Sequence, residues 1–410
     1  MKKILFILNC FLITGLTSLA QPVNKNQDKS SEIIPAAERF ELYLPLIEGK
    51  SVGIFANHTS VTGNTHLVDN LQKRGIKISK IFAPEHGFRG TADAGEKLDN
   101  SIDAATGIPV ISLYGKKRKP SDEDLRDIDV MIFDIQDVGV RFYTYISSLE
   151  EFMESAIKNN KPLIILDRPN PNGFYVDGPV LERKFTSFVG MQPVPVVYGM
   201  TIGEYAKMLI GEKWLDTTLH SSLQNGAENK ITIIPCGNYT HNSKYVLPVK
   251  PSPNLPDIQS IYLYPSTCFF EGTVLSEGRG TDKPFQIFGH PLLPKNLISF
   301  TPESMEGAKN PKLKDKLCYG WDLSGTPAAV LKKADCKVQL KWVLEAYRLF
   351  PNKDSFFLKN GFFNLLAGND RLMQQIRDGV SEKEIRKSWQ SGIARFKEIR
   401  KKYLLYKDFE

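Results

Sequence analysis

Short apolar runs alternate with amphipathic segments through the first half of the sequence, and this pattern constrains the fold more than any other feature. The amphipathic segments lie at 66–75, at 122–128 and from about Leu149 to Asn159. The apolar runs between them are SVGIFAN (51–57), IKISKIFA (76–83), IPVISLYG (108–115), DVMIFDI (129–135) and PLIILD (162–167). Strands that are apolar on both faces are typical of a parallel sheet covered by helices. The pattern therefore predicts an α/β fold with a parallel sheet covered by helices.

The second half of the sequence has a different texture. After about residue 235 the chain is rich in proline and glycine, and it ends in an amphipathic helix capped by Ser381 with Glu384. Its apolar stripe indicates a packing face of a second, smaller α+β domain. We predict an N-terminal domain over 37–250 and a C-terminal domain over 251–410.

The N-terminus has the pattern of an export signal. Lys2 and Lys3 precede an apolar run that ends near Leu16, and small residues follow up to Ala20. We predict a signal peptide over 1–20, a flexible polar leader over 21–36, and a periplasmic or secreted protein. No later apolar run approaches the roughly 18 residues of a membrane span. We expect no nucleic acid partner, because the chain is predicted to be exported and its formal net charge of +7 is small for 410 residues.

The cysteines do not match a metal or redox motif. Of the five cysteines, four follow the predicted signal, and their wide spacing fits neither a zinc ribbon nor a CxxC pair. One or two disulfides and free buried thiols both remain open, because a chain of this size has core enough to do without crosslinks.

Polar side chains follow every predicted strand, at the sheet edge where ligands bind in open parallel sheets. These residues are Asn57, His58, Glu85, His86, Tyr114, Asp134, Gln136, Asp137, Asp167 and Arg168. The segment ANHTSVTGNT after the first strand lacks GxGxxG, and neither a P-loop nor a GxSxG elbow is present. We therefore expect no nucleotide cofactor. A metal held by His58, His86 and Asp134 is a weaker alternative, since no HxH or HxxxH pair occurs.

Carboxylate chemistry remains. In IFAPEHGFRG, Glu85 follows an apolar strand and Pro84, so partial burial suits it to donate a proton. Capping a turn or pairing with Arg89 is the structural alternative for this residue. In DIQDVGVRFYTY, Asp134 and Asp137 are candidates for a second catalytic carboxylate or for structural roles. Further acids and arginines that suit a binding site are Arg141, Glu271, Glu277 and Arg279.

Several long blocks together make a resemblance. The sequences FAPEHGFRG, DIQDVGVRFYTY, LDRPNPNG, DGPVLE, GMTIGEYAKML, PSPNLP, YPSTCFFEGTVLSEGRGTDKPF and SWQSGIARFKEIRKKYLLY resemble the exo-β-N-acetylmuramidase family of the NamZ type. The resemblance implies an exo-acting glycoside hydrolase that releases N-acetylmuramic acid from the non-reducing ends of peptidoglycan fragments. It also implies a Rossmann-like N-terminal domain and a smaller α+β C-terminal domain, with the active site in the cleft between them. By the same resemblance, Glu85 is the catalytic glutamate.

The substrate that this resemblance implies carries a lactyl carboxylate. We expect one of Arg89, Arg141, Arg168 or Arg279 to bind it, because a guanidinium pairs with a carboxylate bidentately. The remaining substrate-binding candidates are Asn57, His58, His86, Tyr143, Glu271 and Glu277. A wall-sugar receptor without catalysis, or a metal-dependent esterase or deacetylase using His58, His86 and Asp134, are the alternatives.

Overall fold

A computed structural model describes residues 32–85, 87–90 and 99–410. Residues 33–410 form one compact unit. The predicted signal peptide, most of the predicted leader, and His86 lie outside the described residues. Within the part that is described, no helix combines the length and the apolar character that a membrane crossing needs.

The described residues contain twelve strands. In chain order these are β1 (Ser51–Ala56), β2 (Val61–Thr62), β3 (Thr65–His66), β4 (Lys77–Ala83), β5 (Ser101–Ile102), β6 (Pro109–Ser112), β7 (Val130–Asp134), β8 (Leu163–Leu166), β9 (Ile231–Ile234), β10 (Ile287–His290), β11 (Ile298–Phe300) and β12 (Cys318–Asp322).

Eleven α-helices accompany them in the same residues. They are α1 (Phe40–Ile47), α2 (Leu67–Lys73), α3 (Tyr145–Lys158), α4 (Ile202–Gly211), α5 (His220–Gln224), α6 (Ile258–Thr267), α7 (Pro327–Ala334), α8 (Lys341–Leu349), α9 (Phe362–Ala367), α10 (Arg371–Arg377) and α11 (Glu382–Lys401).

The main sheet has seven strands in the order β5-β6-β4-β1-β7-β8-β9. Its register places Ile54 of β1 beside Ile81 of β4 and Ile132 of β7. Every pairing is parallel except the one between β5 and β6, which makes β5 an antiparallel edge strand. The predicted Rossmann-like parallel sheet is confirmed.

Alternate residues of each strand face opposite layers of core. Phe55, Phe82 and Phe133 point towards α3, where Phe152 lies 5.3 Å from the Phe55 ring and 6.0 Å from the Phe133 ring, centroid to centroid. Their strand neighbours, such as Ile54, pack on the opposite face with α1 and α2. Burial on both faces explains why these strands read as continuous apolar runs.

Two predicted segments differ from the structure. The helix expected after Ser147 and Ser148 begins earlier, at Tyr145, because the Ser147 hydroxyl donates to the Phe188 carbonyl instead of capping the helix. The amphipathic segment 122–128 forms turns, although Leu125 and Ile128 are buried as its pattern predicted. The capping box of Thr201 and Glu204 is present at α4.

A smaller domain follows the main sheet. Its three strands form an antiparallel sheet in the order β10-β12-β11. The Phe288 ring stacks between Phe270, at 4.2 Å, and Trp321, at 5.0 Å. The long α11 is capped by Ser381 and buries Ile385, Trp389, Ile393 and Phe396, as its apolar stripe predicted.

Residues near both ends of the described part of the chain are hydrogen bonded to the loops that precede α4 and follow β9. Ile34, within the leader predicted as flexible, pairs with Gly237 through two backbone hydrogen bonds, so order begins before the expected Glu38. Arg400 is fully buried, where it donates to the Gly199 carbonyl at 2.8 Å and pairs with Asp408 at 2.7 Å.

The four cysteines of the described residues are free thiols, of which only Cys336 is exposed.

Candidate active site

A cavity of about 400 Å³ lies at the carboxyl edge of the main sheet, between the two domains. Glu85 follows β4 and Tyr114 follows β6, so the parallel arrangement of these strands brings both to the same edge. The wall from the smaller domain consists of Tyr264, Glu271, Arg279, Phe285 and Phe362. A space of this size, with aromatic walls and a few polar groups, suits one small-molecule unit such as a sugar.

Glu85 is the acidic side chain on the main-sheet side of this cavity. The Tyr114 hydroxyl donates a hydrogen bond of 2.9 Å to Glu85 Oε1. Burial raises the pKa of Tyr114, and the charge of Glu85 and their hydrogen bond add to the rise. Tyr114 therefore stays protonated and keeps the carboxyl of Glu85 in one orientation.

Three tyrosines form the adjoining wall. The rings of Tyr143 and Tyr145 meet edge to face at 4.7 Å, and Tyr143 meets Tyr264 at 6.0 Å. Asn57 Nδ2 donates to the Tyr145 hydroxyl at 2.8 Å, and the Tyr143 hydroxyl donates to the Pro251 carbonyl at 2.8 Å. Burial raises the pKa of Tyr143 well above 10.0, so it too remains a neutral donor. The predicted Asn57 thus positions the wall from behind.

Two carboxyls and two cations lie on the facing domain. Arg279 Nη1 is 2.6 Å from Glu271 Oε1 and 3.2 Å from Glu277 Oε1, and Lys312 Nζ is 2.7 Å from Glu277 Oε2. Burial raises the pKa of Glu271, and the positive charge of Arg279, which lowers it, does not cancel the rise. Although burial opposes its ionisation, the pKa of Glu277 is lowered by Lys312 and Arg279. Glu271 is therefore the carboxyl of this group that can hold a proton beside the cavity.

Asp134 and Arg168 pair with each other beneath the sheet edge. Their side chains are 0% and 2% exposed, and Arg168 Nε and Nη2 reach the two carboxylate oxygens at 2.6 and 2.8 Å. Arg168 also donates to the Val61 carbonyl at 3.0 Å. Neither residue lines the cavity.

Asp137 is buried in the loop after β7, behind the same wall. Its Oδ2 accepts from the Tyr198 hydroxyl and, at 2.6 Å, from the Gly139 amide, while Oδ1 has no partner within the described part of the chain. Burial raises its pKa to about 6. Its contacts hold a loop, and it too stands outside the cavity lining.

Two further predicted arginines are engaged elsewhere. Arg141 is fully buried, and its guanidinium donates to the carbonyls of Pro179, Val194 and Leu366 at 2.7 to 2.9 Å. Arg89 pairs with Asp103 at 2.8 Å and with Asp69 at 3.2 Å. Of the four arginines expected to bind a carboxylate, Arg279 alone borders the cavity.

The histidine candidates do not gather around a metal position in the described residues. His58 Nε2 is 2.9 Å from the Lys250 carbonyl oxygen. The His58 ring also packs against Gly90, whose φ is +76°, and fills the space that a Cβ at that position would need. His86 lies outside the described residues. In the part of the chain that is described, no three His, Cys, Asp or Glu side chains are grouped closely enough to hold an ion.

Sequence reasoning missed several cavity residues. In the sequence, Tyr114 is recognisable only as a polar residue at the end of a strand. Arg118 belongs to the basic run KKRK, which is typical of solvated surface. Tyr264 and Phe285 have no local signal at all, because only the docking of the second domain brings them to the sheet edge. The predicted substrate-binding residues Tyr143, Glu271 and Arg279 border the cavity.

Carboxyls on two facing walls of an aromatic, sugar-sized cavity fit the class of glycoside hydrolases. The comparisons with known proteins agree with that class. Family models for the N-terminal and C-terminal domains of exo-β-N-acetylmuramidase NamZ match residues 52–259 and 262–406. The chain belongs to this family.

Individual relatives support the assignment. The peptidoglycan β-N-acetylmuramidase NamZ of Bacillus subtilis is 36% identical over 99% of this chain and 100% of its own length. A DUF1343 family protein of Bacteroides fragilis, solved by crystallography, shares 44% identity with a TM-score of 0.82, covering 92% of this chain and all of that one. A second such protein from the same organism shares 28% identity, with a TM-score of 0.74 over 92% of this chain and 99% of its own.

Proposed function

We propose that this protein removes N-acetylmuramic acid from the non-reducing ends of peptidoglycan fragments, with the reaction taking place in the cavity beside Glu85. The observation that carries the proposal is the hydrogen bond from Tyr114 to a glutamate on the wall of a sugar-sized aromatic cavity. Family membership and the full-length similarity to the Bacillus subtilis muramidase supply the reaction class.

In this proposal Glu85 is the general acid. Hydrolysis of a glycosidic bond requires a proton on the leaving oxygen as positive charge develops on the sugar ring. Glu85 is half-buried at the cavity wall, and the hydrogen bond from Tyr114 to Oε1 holds its carboxyl there. The tyrosine edges opposite it supply donors and apolar faces against which a pyranose ring packs.

Glu271 is our candidate for the second carboxyl, in place of Asp134 and Asp137. It borders the cavity from the facing domain, whereas Asp134 is paired with Arg168 and Asp137 with Tyr198 outside the lining. We assign those two aspartates to holding the loops that follow β7. Asn57, by bonding the Tyr145 hydroxyl, positions the tyrosine wall.

Replacing Glu85 tests the function directly. The Glu85→Gln variant should lose at least about 100-fold in kcat on a chromogenic N-acetylmuramic acid glycoside, since general acid catalysis is typically worth about 100- to 10,000-fold. Its thermal midpoint should stay within about 2 °C of the wild type, because a half-exposed isosteric change removes no core contact.

The matched control is Glu48→Gln, an exposed glutamate remote from the cavity. It should keep full activity. Glu85→Gln activity within a few-fold of the wild type would refute the role of Glu85. A wild type that binds N-acetylmuramic acid in calorimetry but never turns over its glycoside would identify a receptor instead of an enzyme.

We also propose export. The basic residues Lys2 and Lys3, the apolar run and the small residues before Gln21 support a signal peptide over 1–20. A periplasmic or secreted protein would meet peptidoglycan fragments outside the cytoplasm, which agrees with the proposed substrate.

A further inference from the structure

A muramidase must recognise the group that distinguishes its sugar. N-acetylmuramic acid differs from N-acetylglucosamine by a lactyl ether that ends in a carboxylate. A cation without a protein carboxylate as its partner, placed at the cavity, provides that discrimination. This inference rests on the proposed function, because it concerns the sugar that the same cavity accepts.

Arg279 is poorly suited to this task although it borders the cavity. It already binds Glu271 and Glu277, and Lys312 pairs with the second of these. Arg279 contacts both carboxyls of this group, so its guanidinium is already engaged by protein side chains. Its guanidinium would have to break an existing ion pair in order to bind a second carboxylate.

Arg118 is different. It borders the cavity together with Glu85 and Tyr114, and its guanidinium lies over the Phe188 ring at 4.1 Å from the centroid. Within the described residues it has no hydrogen bond or ion pair to a carboxylate. Its positive charge is close enough to Tyr114 to oppose the rise in the pKa of that phenol.

The neighbours of Arg118 explain how it is held there. Lys117 pairs with Asp124 at 2.5 Å, and Lys119 pairs with Glu151 and Glu154 at 3.3 and 3.2 Å. These ion pairs fasten the KKRK segment to the body of the protein on both sides of Arg118. The members of this basic run therefore have different roles. Lys117 and Lys119 anchor the loop through ion pairs, and Arg118 between them borders the cavity.

We propose that Arg118 binds the lactyl carboxylate of the terminal muramic acid and so selects this sugar over N-acetylglucosamine. The Phe188 ring covers one face of the guanidinium and fixes its plane, which leaves the N–H edge for two parallel bonds to a carboxylate. Such charge-assisted pairs are about twice as strong as neutral hydrogen bonds.

Equilibrium binding tests this assignment. Calorimetry on the full chain compares N-acetylmuramic acid, its methyl ester and N-acetylglucosamine. Arg118→Ala should weaken binding of the acid about 10- to 100-fold, while the affinities for the ester and for N-acetylglucosamine change by less than about twofold. Arg118→Lys should fall between, since an ammonium keeps the charge but loses the bidentate edge.

Kinetics and a matched control complete the test. On the muramic acid glycoside, Arg118→Ala should raise KM with little change in kcat, because the contact is the same in the bound substrate and the transition state. Lys116→Ala removes the same charge from the same exposed run outside the cavity lining and should leave the preference for the acid intact.

The outcomes separate the two proposals. An Arg118→Ala variant that keeps the preference of an active wild type for the acid over the ester would overturn the role of Arg118 and leave the function standing. A wild type that binds the acid through Arg118 but hydrolyses no glycoside would refute the function and support the binding role.

Discussion

Replacing Asp137 by asparagine separates a structural role from a catalytic one. Asp137 is fully buried, and its Oδ2 alone accepts the bonds from Tyr198 and Gly139. An asparagine oxygen in that position accepts the same two bonds, while the amide nitrogen takes the place of Oδ1, which has no partner in the described residues. The substitution therefore removes the ionisation while retaining the size of the side chain and the hydrogen bonds from Tyr198 and Gly139.

The size of the effect follows from the raised pKa. Asp137 has a pKa of about 6 in the folded protein against its ordinary value of 3.8. The difference corresponds to about 3 kcal/mol between the protonated and ionised forms. Because the folded state holds the proton more tightly, this stability is fully present below pH 3.8, is lost as the pH rises through 6, and is absent at neutral pH.

Urea unfolding of both proteins between pH 4 and pH 8 measures this term. The wild type should lose about 2.5 kcal/mol more unfolding free energy over that range than Asp137→Asn loses, since a small part of the total of about 3 kcal/mol is already lost at pH 4. Asp122→Asn is the control of opposite sign, because the pKa of Asp122 is lowered by its hydrogen bond to Lys158. Identical pH slopes in the wild type and Asp137→Asn would refute the buried, protonatable state. Loss of glycosidase activity by more than about 100-fold in a folded Asp137→Asn would make this aspartate catalytic after all.

Two further predictions concern the acid and the N-terminus. Tyr114→Phe deletes the hydrogen bond to Glu85 Oε1 and should lower kcat about tenfold with little change in KM, as steady-state kinetics would measure; an unchanged kcat would contradict the positioning role. Intact-mass analysis of the protein recovered from the periplasm or medium of an expressing cell should give a chain that begins at Gln21, whereas a chain retained in the cytoplasm at full length would exclude export.

The local elements could be predicted because their signals are local. Apolar runs such as 129–135 had to lie inside a sheet, and the spacing of Thr201 and Glu204 had to begin a helix. The start of α3, at Tyr145, precedes the predicted start near Leu149, because the Ser147 hydroxyl donates to the carbonyl of Phe188, a residue remote in sequence. A competing tertiary hydrogen bond leaves no local trace.

The sequence by itself determined the parallel sheet, the strand ends that carry polar residues, and Glu85 as the acid of interest. Only the tertiary structure decided which charges are available. The sequence makes Arg141 and Arg168 candidates for binding a carboxylate, yet carbonyls and Asp134 occupy them. Arg118 belongs to a run typical of solvated surface and lies at the cavity. The physical reason is that a charged side chain can bind a ligand only if folding has not already given it a protein partner. Such partners lie far away in sequence: Arg141 and the Leu366 carbonyl are 225 residues apart.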